Sequence, residues 1–151
     1  NFLNFLSPSS KKRIEYIEDP VSCKSERVQE KWRSWNQLIP LAFDFQKIEY
    51  NSSIAQYRII KPSRQRLSPN LKNFTLTSAM EHPVGLAHGL RIAQAFAQND
   101  SGFLILDLFE ENSFNKYFEQ SNNDLNFSKN ARDDFGIGMT EDLNKIKWVQ
   151  L

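Results

Sequence analysis

This chain of 151 residues has little of what marks a disulfide-built, membrane-bound or metal-built protein. It holds one cysteine, Cys23, so no internal disulfide can form, and a reducing, cytoplasmic location is expected. Its two histidines, His82 and His88, lack the four-residue spacing that puts two ligands on one helix face, and no His-Glu-x-x-His occurs. No metal site is therefore expected. No apolar run approaches the roughly 18 residues of a membrane helix; the longest, residues 103–109, is broken by Asp107. The net charge is only +1, which gives no electrostatic case for nucleic acid or a membrane surface. The chain begins with Asn1 rather than Met, as a trimmed, processed or partial chain does.

What is present suits one globular domain with an ordinary core. The chain is 40% hydrophobic and 25% charged, away from the disordered range. Aromatic residues make up 13%, twelve of them Phe, enough to demand a real core or to line a pocket. The four Asn-x-Ser/Thr sequons, at Asn51, Asn73, Asn99 and Asn126, are what an Asn- and Ser-rich sequence produces by chance.

Periodicity predicts the elements. Residues 13–18 alternate as a short first strand, stopped by Pro20. Ser25 is a plausible N-cap for an amphipathic helix over 26–38, with Val28, Trp32, Trp35 and Ile39 inward. Residues 41–60 read as an antiparallel hairpin turning at Asn51-Ser52-Ser53, with a bulge between Phe45 and Ile48. Residues 61–72 form a loop with four basic residues and no acid, suited to steer an anion or simply to be solvated. A strand at 74–77, a helix at 84–98 and a buried strand at 103–109 make a βαβ unit. A short helix over 114–119, a turn at 121–124, a strand at 125–127 and a loop over 128–139 follow. A closing strand at 146–151 competes with a helix over 140–147.

The expected fold is α+β: a mixed, mostly antiparallel sheet of five to seven strands, helices on both faces, in the order β-α-β-β-β-α-β-α-β-β. The stretch His82-Pro83-Val84-Gly85-Leu86-Ala87 sits between a strand and the main helix. A helix N-terminus there offers backbone N–H groups to an anion.

The element order and this turn resemble the GNAT acetyltransferase family. That family carries Gln/Arg-x-x-Gly-x-Gly/Ala at this place. Gly85 and Ala87 fall in register, while His82 replaces Gln or Arg. The resemblance implies that His82, Gly85, Ala87 and His88 hold the pyrophosphate of acetyl-coenzyme A, with Asn112 after the next strand. It implies that Tyr117 protonates the leaving thiolate, and Glu81 is the nearest carboxylate for a general base. The implied function is acyl transfer from coenzyme A to a small-molecule or peptide amine; a homodimer is a separate expectation. The bland roles stand beside these: glycines for close packing, Asn112 as a cap, Tyr117 as core, Glu81 as a solvated carboxylate. The aromatic surplus and the imperfect motif suit a second function, a non-enzymatic protein-binding domain such as an immunity-type or assembly subunit.

Overall fold

The computed structural model describes residues 5–44, 49–68, 71–134 and 136–147. They gather into two compact units: Asn1–Ile60 with Asn70–Thr75, and Lys61–Pro69 with Leu76–Leu151. Among the described residues no helix is long and apolar enough to cross a membrane.

The first unit opens with a short helix, α1 (Pro8–Lys12). Ser7 caps it by accepting from the Ser10 amide at 3.0 Å, and Pro8 takes the first-turn position where its missing N–H costs nothing. Strand β1 (Ile17–Glu18), helix α2 (Glu26–Asn36), strand β2 (Leu41–Phe43) and strand β3 (Tyr57–Ile60) follow. The helix forms where the Val28-Trp32-Trp35 spacing predicts, and Trp32 is fully buried. Its end is tied to the sheet by Asn36, whose Oδ1 accepts from the Leu41 amide at 2.9 Å and the Gln56 amide at 3.2 Å. The core joins Cys23, Trp32, Leu41, Phe43, Ile54 and Ala55, with Ile17, Val28, Trp35 and Tyr50 packed against it.

The sheet corrects the expected fold class. Strands β1 and β2 pair in parallel, as do β2 and β3, and β4 (Phe74–Leu76) continues the parallel order β1-β2-β3-β4. The mostly antiparallel sheet of five to seven strands is not found; four parallel strands and a separate two-stranded antiparallel ribbon stand in its place. Residues 41–60 are not a hairpin. Asn51 does make a turn, accepting from the Ile54 amide at 2.9 Å and, through Oδ1, from the Ser53 amide at 2.9 Å. That turn lies within a crossover long enough to return the chain to the same end of the sheet. The proposed bulge at residues 45–48 lies outside the described residues.

In the second unit the parallel strand shrinks to one bridge, Thr77 to Gly102, bracketed by Gly102 N–H to Leu76 O and Ser78 N–H to Gly102 O, both 2.9 Å. Helix α3 (Pro83–Phe96) lies between, close to the predicted 84–98. The predicted strand 103–109 is instead an irregular apolar segment with a 3₁₀ turn at Leu106–Leu108. The predicted short helix at 114–119 is a 3₁₀ turn, Asn115–Tyr117, running into β5 (Phe118–Ser121). Strand β6 (Asp124–Phe127) pairs with it antiparallel across a tight turn at Asn122, whose φ of +51° is one that Asn tolerates. Arg91 lays its guanidinium over the Phe127 ring at 4.1 Å and donates to the Ala131 carbonyl at 2.7 Å. Two short helices close the unit, α4 (Lys129–Arg132) in the predicted loop and α5 (Thr140–Leu143) within the competing helix assignment. The described part of the proposed closing strand, residues 146–147, is not strand, and residues 148–151 lie outside the described residues.

Candidate functional site

The turn into α3 has the predicted shape, and its hydrogen bonds are already made. Pro83 has no N–H, the Val84 amide donates to His82 Nδ1 at 3.4 Å, and the Gly85 and Leu86 amides donate to His82 O at 2.8 and 3.1 Å. The helix start therefore caps itself, with His82 serving as the cap. Gly85 meets a steric demand of its own. A Cβ there would come within 2.7 Å of the Glu81 Cβ, so the glycine makes room for the Glu81 stem. Ala87 is fully buried, and His88 is exposed on the helix. Asn112 acts as a turn cap, its Oδ1 accepting from the Phe114 amide at 3.0 Å. The structure brings His82 edge-on to Phe114 at 5.3 Å, and Phe114 to Tyr117 at 6.5 Å between ring centres. Glu81 is turned to its own neighbours: its Oε1 accepts from the Ala79 amide at 2.7 Å and from the Ser63 hydroxyl.

Tyr117 is buried, and its hydroxyl donates to Asp142 Oδ2 at 3.0 Å. Burial and the carboxylate's acceptance of this proton push the phenol above its ordinary value. Lys116 meets the same carboxylate at 2.6 Å, and Lys145 meets Oδ1 at 3.2 Å. The Lys116 bond, with help from Lys145 and Tyr117, holds Asp142 down to about 2 against the cost of burial. A carboxyl lowered on folding stabilises the fold above its unfolded value and loses that contribution as pH falls through the folded one. The thermal midpoint of the wild-type chain will therefore drop between about pH 4 and pH 2, where Asp142 takes up its proton. The Asp142→Asn variant starts lower at pH 6 and shows a shallower fall, measured by circular dichroism melts across that range.

A second group of polar residues, which periodicity alone does not mark, follows from parallel pairing. Partners in register share a face: Ile17 with Leu41, Glu18 with Ala42, Ala42 with Tyr57. Ile17, Leu41 and Phe43 face α2 and its tryptophan. The opposite face carries Tyr16, whose ring lies 5.7 Å from that of Tyr57. Alternation places Glu18, at the end of β1, and Asp44, one residue past β2, on this same face. Lys61 is the next residue after β3 in the chain. Asp19 holds the β1 end to the β2 end. Its amide donates to Ala42 O at 3.1 Å, and its Oδ1 accepts from the Asp44 amide at 3.3 Å. It does so at φ +39°, a left-handed conformation before Pro20 that a non-glycine residue rarely adopts. Lys61 is buried, only 9% exposed.

Acids at the carboxyl ends of parallel strands occupy the position where α/β proteins place their chemistry. Among the described residues no three His, Cys, Asp or Glu side chains are gathered to enclose a metal by themselves. Glu18 and Asp44 offer the one or two carboxylates with which a protein holds Mg²⁺ jointly with substrate oxygens and water. No family model matches the chain, and no curated protein matches it significantly.

Proposed function

We propose that the chain supplies part of the active site of a cation-assisted proton-transfer enzyme acting on a small carboxylate. The observation that supports this is the common placement of Glu18 and Asp44 at the carboxyl ends of neighbouring parallel strands, with Lys61 following the next strand in the chain. Removing a proton from carbon beside a carboxylate builds negative charge on the carboxylate oxygens. Glu18 and Asp44 would hold a divalent cation, which would supply the charge neutralisation this step needs, and a lysine is a suitable proton carrier for it. Lys61 Nζ takes the proton, the C–H electron pair moves into an ene-diolate, and the same nitrogen returns the proton to carbon. Asp19 acts through Asp44, whose backbone it holds.

The substrate need not be identified for the test. A panel of small carboxylic acids is incubated in D₂O with the protein and Mg²⁺, and loss of the proton beside the carboxylate is followed by NMR. At least one acid will exchange with Mg²⁺ present, and chelation with EDTA will stop it. Exchange that persists after complete chelation would exclude a role for the cation.

A further inference from the structure

We infer that Glu81 is a positioning residue that clamps the Lys61 turn through Ser63. This rests on the reading of Lys61 as the proton carrier. The Lys61 carbonyl closes a tight turn, accepting from the Arg64 amide at 2.9 Å and the Gln65 amide at 3.0 Å. That turn sets the direction in which the Lys61 side chain leaves the backbone. It is tied from outside at two points. The Ser63 hydroxyl donates to Glu81 Oε1, and Arg64 Nη2 reaches the Ala79 carbonyl at 3.4 Å. The same Oε1 accepts from the Ala79 amide at 2.7 Å, so one oxygen binds both segments.

The 79–81 segment is itself fixed. Met80 sits at φ +61° between the two clamped residues, and its amide donates to the Ser78 hydroxyl at 3.3 Å. Gly85 leaves the space that the Glu81 stem fills. Glu81 Oε2 is buried with no hydrogen-bond partner among the described residues. A carboxylate kept with one oxygen unsatisfied is a poor choice for stability alone, since burial of an unpaired polar atom costs free energy. Its return lies in holding the lysine turn in one geometry, because misplacement of a reacting group by about 1 Å costs on the order of 100-fold in rate.

Two readouts test the clamp. The first is independent of catalysis: labelling of Lys61 by trinitrobenzenesulfonate, followed by peptide mass spectrometry, with exposed Lys72 as the internal reference. Lys61 labels slowly in the wild-type chain, several-fold faster in Glu81→Ala and in Ser63→Ala, and at the wild-type rate in Glu81→Gln, whose amide oxygen still accepts both bonds. The second is deuterium exchange, where Glu81→Ala and Ser63→Ala lower kcat by about 100-fold with the cation dependence unchanged, and Glu81→Gln restores it. Unchanged Lys61 labelling in folded Ser63→Ala would overturn the clamp. A wild-type chain without exchange, but with the labelling pattern above, would overturn the proposed reaction and leave the clamp standing.

Discussion

Lys61→Ala abolishes proton exchange, lowering it by about 100- to 10,000-fold, the range that a single general acid–base group supplies. The loss follows from the role proposed for Lys61, the buried residue that follows β3 in the chain. Lys61→Arg is as inactive as Lys61→Ala, because a guanidinium keeps the charge and does not give up its proton. That pair separates proton transfer from simple charge neutralisation, in which Arg would retain most of the rate. Reduction with borohydride in the presence of a carbonyl compound leaves the mass of Lys61 unchanged, since proton transfer forms no imine. A trapped adduct on Lys61 would instead mark a Schiff-base mechanism.

Trp32→Ala destabilises the chain by about 3–5 kcal/mol. Trp32 is fully buried in the first unit, with the Phe43 ring 5.0 Å away and tilted by 32°. Its removal opens a cavity in the cluster it shares with Leu41, Phe43 and Ile54, in a close-packed interior that relaxes only partly. Trp32→Phe costs much less. It keeps an aromatic ring against Phe43 and removes the indole N–H, which is buried with no hydrogen-bond partner among the described residues. Urea unfolding followed by circular dichroism measures both. A loss under about 1 kcal/mol for the alanine variant would mean that the α2 packing is not the core of this unit.

The two helices with strong periodicity are legible in the sequence. Val28, Trp32 and Trp35 mark α2, and the small-residue face from Val84 to Ala97 marks α3. Strand direction is not legible in the same way. Alternation is identical in parallel and antiparallel strands, and the Asn51 turn chemistry invites a hairpin. The distance along the chain from Phe43 to Tyr57 carries the contrary signal, since it exceeds a hairpin loop and matches a crossover. The segment 103–109 misleads for another reason. Its apolar character reflects burial of Phe103, Ile105 and Leu106. Past Gly102 it has no paired strand among the described residues to hold it extended.

Strand direction also decides whether the proposed site is visible. Between antiparallel neighbours the carboxyl ends lie at opposite edges, and Glu18 and Asp44 would have no common location. In a parallel sheet the endings Ile17-Glu18-Asp19 and Phe43-Asp44 fall at the same edge, each with an acid at or just past the last strand residue. The glycine turn is legible as a turn into a helix. Its partners are not, because Ser63 and Ala79 meet Glu81 only in the folded chain.

The most direct measurement is the Mg²⁺ dependence of solvent deuterium exchange in the wild-type chain and in Asp44→Asn. Exchange that saturates with Mg²⁺ is predicted in the wild type. In Asp44→Asn that saturation shifts to much higher concentration, the fold being unchanged by circular dichroism. Equal Mg²⁺ dependence in the two proteins would contradict the claim that the carboxyl ends of these parallel strands carry the chemistry.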